Sequence, residues 1–283
     1  HGRTEATGRG VQYGLQEFFR HPEDVKHANM EGGLEGKRMV VQGLGNVGFH
    51  AAKFLSEEDG VKVTAIIERD GAIINDDGLD IEAVHHHRME NGGVKGFPGS
   101  EHVQDGHSIL EKECDILMPA ALESQITQEN ADSIKTNLIA EAANGPLTFG
   151  ADQILREKGV VIIPDAYLNA GGVTVSYFEW IKNLSHIRFG RMERRYEEAQ
   201  SRGLVAAIEE ATGKTLNDST KGKLIAGPDE IDLVRSGLDD TMRGAYNHIR
   251  QIYIEREAVK DLRTASFVLA IERIANCYQS MEL

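Results

Sequence analysis

The sequence predicts an α/β protein with a doubly wound, mostly parallel sheet and a helical C-terminal portion. Three observations carry that expectation. Short apolar runs recur at 39–44, 61–67, 115–118, 137–140 and 160–164, with helical patterns between them. Such alternation describes strands covered by helices on both faces of a parallel sheet. The first run passes into Gly43-Leu44-Gly45-Asn46-Val47-Gly48 just where a helical pattern begins. Beyond residue 190 only helical periodicities remain.

Taken in order, residues 8–20 form a helical pattern with Val11, Leu15, Phe18 and Phe19 on one face. Residues 21–36 are polar, hold Pro22, Gly32, Gly33 and Gly36, and read as a connector. In the first strand–helix–strand unit, Val47, Ala51, Phe54 and Leu55 share a helix face, and the second strand ends at Glu68. Asp70-Gly71 signals a turn into a short returning strand at 72–74. Ile81, Val84 and Met89 mark a helix, and 92–106 reads as an exposed loop. Helices are expected near 127–134 and 150–158, and from 173 to 184. A long charged helix covers 191–213, a polar loop 214–228, a helix 238–259 with Leu238, Met242, Ala245, Ile249 and Ile252 on one face, and a mainly apolar helix 265–278.

The stretch 38–68 carries the chemistry. Gly43 permits a tight turn, Gly45 lets backbone approach a pyrophosphate, and Gly48 lets helix and strand pack closely. The helix N-terminus offers free N–H groups and a positive dipole end. Glu68, twenty residues after Gly48, stands where a carboxylate accepts hydrogen bonds from an adenosine ribose. The competing reading is an ordinary βαβ unit whose glycines serve only the turn. Strand, helix and acid are all in place, which favours a Rossmann-like dinucleotide site. In open α/β sheets ligands bind beyond the carboxyl ends of the strands. That singles out Ala120, Ala121, Asn144 and Asn169.

Composition narrows the partners. A net charge of −14 argues against a nucleic-acid backbone or an anionic membrane as main partner. Two cysteines give no disulfide framework and fit a reducing compartment, hence a cytoplasmic location, or the mitochondrial matrix for a eukaryotic parent. No apolar run is long enough to span a bilayer. The chain opens His1-Gly2-Arg3, so upstream residues are expected to have been removed.

Four features are set aside. His85-His86-His87 reads as a solvated turn, because consecutive helical residues point apart and no matching ligand spacing accompanies them. Gly213-Lys214-Thr215 has Ile208 where a phosphate-binding loop needs its first glycine. The run at 191–195 reads as a solvated helix face. Cys114 and Cys277 read as inert core residues.

Three stretches go further. They are Gly2-Arg3-Thr4-Glu5-Ala6-Thr7-Gly8-Arg9-Gly10, Gly43 to Gly48, and Tyr167-Leu168-Asn169-Ala170-Gly171-Gly172-Val173-Thr174-Val175-Ser176-Tyr177-Phe178-Glu179-Trp180. With Asp261-Leu262-Arg263-Thr264-Ala265 near the end, their order and spacing resemble the nucleotide-binding half of the glutamate dehydrogenases, within the Glu/Leu/Phe/Val dehydrogenase superfamily.

The resemblance implies an oxidoreductase of amino-acid metabolism that reversibly deaminates L-glutamate to 2-oxoglutarate and ammonia, with hydride transfer to NAD(P). It implies cofactor contacts at Thr7, Gly43, Gly45, Asn46, Val47, Gly48, Glu68, Ala120, Ala121, Asn144 and Asn169. Substrate contacts fall at Arg3, Asn169, Val173 and Ser176, with Ser176 near the side-chain carboxylate. A hydroxyl there suits glutamate, where leucine, phenylalanine and valine relatives look apolar; the competing reading of Ser176 is a helix serine bonding its own backbone.

The family's catalytic lysine and aspartate belong to a substrate domain, and no glycine-flanked lysine segment stands in this chain. The resemblance therefore places no catalytic residue here and implies binding with little or no turnover. Glu68 favours NAD, while Arg69 beside it leaves NADP open. It implies a homo-oligomer, a hexamer in the family, with neither nucleic acid nor membrane as partner. Three parts are expected: 1–185 for the dinucleotide with its lead-in helix, 186–230 as a helical insert, and 231–283 as helices packing back. The insert reads either as a simple connector or as a short form of the regulatory antenna of mammalian-type members. The alternatives are another amino-acid dehydrogenase of the superfamily or a non-catalytic nucleotide-binding module.

Overall fold

The computed structural model describes residues 2–185, 191–225 and 230–281. The chain begins with helices α1 (Ala6–Phe19) and α2 (Pro22–His27). Next come β1 (Arg38–Gln42), α3 (Asn46–Asp59), β2 (Lys62–Glu68), β3 (Gly71–Ile74), α4 (Ile81–Asn91) and β4 (Glu101–Val103). These lead to β5 (Cys114–Pro119), β6 (Thr136–Ala140), α5 (Phe149–Glu157), β7 (Val161–Ile163), α6 (Asp165–Leu168) and α7 (Gly171–Ser185). Four helices follow: α8 (Arg191–Thr212), α9 (Asp218–Ile225), α10 (Glu230–Glu255) and α11 (Leu262–Ser280).

The seven strands described form one sheet in the order β4-β3-β2-β1-β5-β6-β7. The run from β2 to β7 is parallel throughout, and β3 and β4 extend it antiparallel beyond β2. The chain leaves β1 toward β2 on one side and returns to β5 on the other, so the carboxyl ends of β1 and β5 flank the switch point. Side chains alternate across the sheet. Met39 and Val41 join a core with Leu15, Phe18 and Leu55, while Val40, Leu117 and Ile139 face Ala151 and Leu155 on the opposite side. Each face is thus covered by helices, as the near-continuous apolar strands require.

The α/β expectation holds, with local corrections. Residues 21–36 are not a simple connector: Pro22 opens α2, and Val25, Ala28, Met30 and Leu34 are buried. Within 92–106 lies β4, recruited by pairing with β3 rather than by its own pattern. At 127–134 only a 3₁₀ turn, Ala131–Ser133, forms. Residues 214–228 contain α9, while 226–228 lie outside the described residues. Met89 points to solvent. The boundaries expected for the insert, near 186 and 230, fall at 186–190 and 226–229, which also lie outside the described residues.

Helix α10 is keyed to α1 and α2 through Tyr246, which is 1% exposed. Its ring meets Phe18 edge-on at 6.3 Å, and its hydroxyl donates to Asp24 Oδ2 at 2.6 Å. Arg250 Nε donates to the same oxygen at 2.8 Å. Burial, then the Asp24 charge, push the Tyr246 hydroxyl well above the ordinary tyrosine range. Tyr246→Phe removes a hydrogen bond to a charged acceptor and is expected to cost about 1.5–3 kcal/mol, read from the urea midpoint.

Candidate functional site

At the end of β1 the chain turns through Gly43, which has φ +88° and donates its N–H to Ile67 O at 2.8 Å. A Cβ there would stand 2.8 Å from Ala121 Cβ, so only glycine lets the β1 turn lie against the β5 turn. A Cβ on Gly48 would strike the Gly43 carbonyl oxygen, which fixes how closely α3 approaches the strand end. Gly45 is different, with nothing within 4 Å of its missing side chain. It stands at the N-cap of α3, and no side chain caps that helix. Open space beside uncapped amides fits the pyrophosphate of a dinucleotide.

Glu68 closes the unit. Its Oε1 accepts the Leu44 N–H at 2.7 Å and lies 3.0 Å from Arg88 Nε on α4. The carboxylate that the spacing assigned to a ribose is therefore held against the glycine turn and already has a counter-charge. Arg69 is exposed. Arg88 follows the three histidines read as a solvated turn, and nothing in that run points to its pairing with Glu68.

From this turn an open groove of about 600 Å³ runs along the carboxyl ends of the sheet. Arg3, Thr7, Val47, Ala120, Ala121, Asn144, Asn169, Val173 and Ser176, all singled out from the sequence, line it. Ala142, Ala143 and Gly172 join them without having been anticipated. Asn169 Nδ2, at the end of α6, donates to Asn144 Oδ1 in the turn after β6 at 2.7 Å, joining the two segments at the groove. Ser176 Oγ donates to Gly172 O at 2.9 Å, so its hydrogen serves the helix while its oxygen faces the groove. Asn46 is drawn away: its Nδ2 donates to Thr4 O at 2.7 Å. Arg3 reaches Glu179 at 3.7 Å with its side chain 69% exposed, an ion pair of little energetic weight.

Thr7 on α1 and Val173 and Ser176 on α7 share the groove because their helices cross closely. A Cβ on Gly10 would stand 2.9 Å from Gly171 Cα. The glycines of 2–10 suggested a lead-in segment; their use as a crossing point depends on a partner 161 residues on, which no local pattern reveals.

The residues set aside behave in separate ways. His85 stacks on Phe49 at 3.9 Å, His86 pairs with Glu90 at 3.2 Å, and His87 Nε2 lies 3.0 Å from Lys95 O. Burial and the Arg88 charge hold the His85 pKa below its ordinary value. Cys114 is buried, and burial pushes its thiol up to about 11. Cys277 is exposed, contrary to the core position expected of it: α11 buries only Leu262, Ala265 and Ser266, near its start, and turns Phe267, Ile271, Ile274 and Tyr278 outward. A disulfide-exchange dye at neutral pH is expected to titrate one thiol of the native chain, lost in Cys277→Ser, and the second only after denaturation.

The sequence profile of the Glutamate/Leucine/Phenylalanine/Valine dehydrogenase family matches residues 1–232. The chain belongs to that family. It is 49% identical over 279 residues to a mitochondrial glutamate dehydrogenase of Dictyostelium discoideum, covering 99% of this chain and 55% of that one. A probable glutamate dehydrogenase of Sinorhizobium fredii is 47% identical, with 97% of this chain and 62% of the relative covered. The chain thus spans little more than half the length of these relatives. Among solved structures, glutamate dehydrogenase from Peptoniphilus asaccharolyticus superposes with a TM-score of 0.66 at 26% identity, covering 99% of this chain and 54% of that one. A hetero-hexameric glutamate dehydrogenase from Thermus thermophilus, in its Leu-bound form, shares the fold with a TM-score of 0.72 at 23% identity over 96% of this chain and 52% of its own.

Proposed function

We propose that this family member is the nucleotide-binding part of a glutamate dehydrogenase and that the groove holds NAD. What carries the reading is continuity: one groove runs from the uncapped start of α3 to Val173 and Ser176. The Gly43–Gly48 turn would take the pyrophosphate, with Thr7 and Val47 beside it. Glu68 would take the adenosine ribose, and Ala120, Ala121 and Asn144 would lie along the nicotinamide ribose and ring. Asn169 would orient the carboxamide or the substrate's main-chain groups, and Arg3, Val173 and Ser176 would face the substrate. Bound there, the nicotinamide supplies an acceptor for the hydride leaving the substrate's α-carbon.

The chain's own contribution is binding and orientation. The groove's lining residues among those described carry a guanidinium, amides, hydroxyls and aliphatic side chains. Proton transfer from the amine and the attacking water needs a group of another kind. The purified chain is accordingly expected to bind dinucleotide and to give no detectable glutamate deamination; turnover above background would overturn that assignment.

Cofactor preference follows from the held carboxylate. A 2′-phosphate brought to Glu68 meets a negative charge that Arg88 offsets only in part, which favours NAD and leaves NADP as a weaker second ligand. Titration by nicotinamide fluorescence is expected to show NADH binding more tightly than NADPH. Glu68→Gln should narrow that ratio by roughly tenfold, as loss of one repulsion of about 1.4 kcal/mol predicts. An unchanged ratio would separate Glu68 from the choice.

Further parts of the proposal rest on the relatives. The intact enzyme would be an oligomer, taking glutamate, 2-oxoglutarate and ammonia. It would lie in the cytoplasm, or in the mitochondrial matrix of a eukaryote; no described helix is long and apolar enough to cross a membrane. The region 1–185 would form the dinucleotide unit, 186–230 a helical insert, and 231–283 the helices returning to it.

A further inference from the structure

Asn144 hangs on a turn, residues 141–145, that leaves β6 and enters the groove. Four of its five backbone N–H groups have partners. Glu141 N donates to Ile163 O at 3.2 Å, and Ala142 N and Ala143 N both donate to Pro119 O, at 3.1 and 2.9 Å. At the far end Gly145 N donates to a carboxylate, Asp165 Oδ2, at 2.8 Å, and Gly145 O accepts from Ser124 N. The near end carries Glu141, whose side chain is fully buried; its Oε2 accepts the Asp165 N–H at 2.8 Å.

One guanidinium joins the two ends. Arg263, in the first turn of α11, donates from Nη2 to Glu141 Oε1 at 2.7 Å and from Nη1 to Asp165 Oδ1 at 3.3 Å. Its Nε reaches Asp152 Oδ2 at 3.1 Å. Burial pushes the Glu141 carboxyl up, and Arg263 works against that push. We propose that Arg263 is a positioning residue for the nicotinamide end of the groove, holding the Asn144 turn through Glu141 and Asp165. This rests on the reading of the groove as a dinucleotide site.

Charge accounting directs the effect to the turn. Asp152 keeps Arg156, at 2.7 Å, when Arg263 is removed. Glu141 keeps no cation among its recorded partners, and a fully buried carboxylate without one must protonate or draw in water. Asp165, which holds Gly145, loses its cation in the same step and keeps only N–H donors, among them Ala166 N at 2.8 Å. The planar fork matters as well as the charge, because a single ammonium does not reproduce three fixed N–H directions to three carboxylates.

The test is Arg263→Gln, followed by amide hydrogen exchange and NADH titration of the 283-residue chain. Exchange at Gly145 should accelerate, and the NADH dissociation constant should rise, each by about tenfold or more. Protection in β1 and β2 should be kept. Arg263→Lys should fall between, and it decides the matter if the glutamine variant does not fold. Adding Glu141→Gln to Arg263→Gln removes the stranded charge and keeps an oxygen for the Asp165 N–H, so part of the affinity should return. A folded Arg263 variant with Gly145 protection and NADH affinity unchanged overturns the proposal, as does a double variant no better than the single. A wild-type chain that binds no NADH would overturn the reading of the groove instead, and exchange at Gly145 would still decide whether Arg263 holds the turn.

Discussion

Everything at the carboxyl edge of the sheet depends on how closely two turns meet. Gly43, at φ +88°, lies against Ala121 with no room for a Cβ, and Gly48 lies against the Gly43 carbonyl. That approach draws the start of α3 into the gap between β1 and β5. Its uncapped amides then face open space rather than a side chain. A larger residue at either glycine would move the helix start, and the groove, Glu68 and Leu44 would lose their common frame.

A second close approach sets the opposite wall. Gly10 and Gly171 bring α1 and α7 into backbone contact, and this carries Thr7 to Gly172 and Ser176. Glycine inside a helix costs roughly 1 kcal/mol relative to alanine, so the crossing is maintained against local propensity. The groove is thus built by backbone proximity on both sides. Apart from Arg3, its lining is accordingly short: alanines, a glycine, valines and small polar side chains.

The parts legible in the sequence were those with local periodicity. Val11, Leu15 and Phe18 announced α1, and the run from β1 through α3 to Glu68 was readable because strand, turn and acid lie within about thirty residues. What failed was whatever depends on distant partners. β4 exists because β3 offers an edge to pair with, and α2 is short enough that Pro22 looked like a breaker rather than a start. The apolar pattern of α11 was visible, but periodicity does not say what covers a stripe, and Cys277 proved exposed. The role of Arg263 was missed for the same reason. Arg263 meets Glu141 across 122 residues, a separation at which sequence carries no geometric signal.

The two rims of the sheet are alike in one respect. Each ends in a strand of only three residues, Glu101–Val103 on one side and Val161–Ile163 on the other. Short rims of this kind offer few free backbone groups to a passing strand. The chain is therefore poorly suited to join a neighbour by continuing the sheet, and poorly suited to template cross-β stacking.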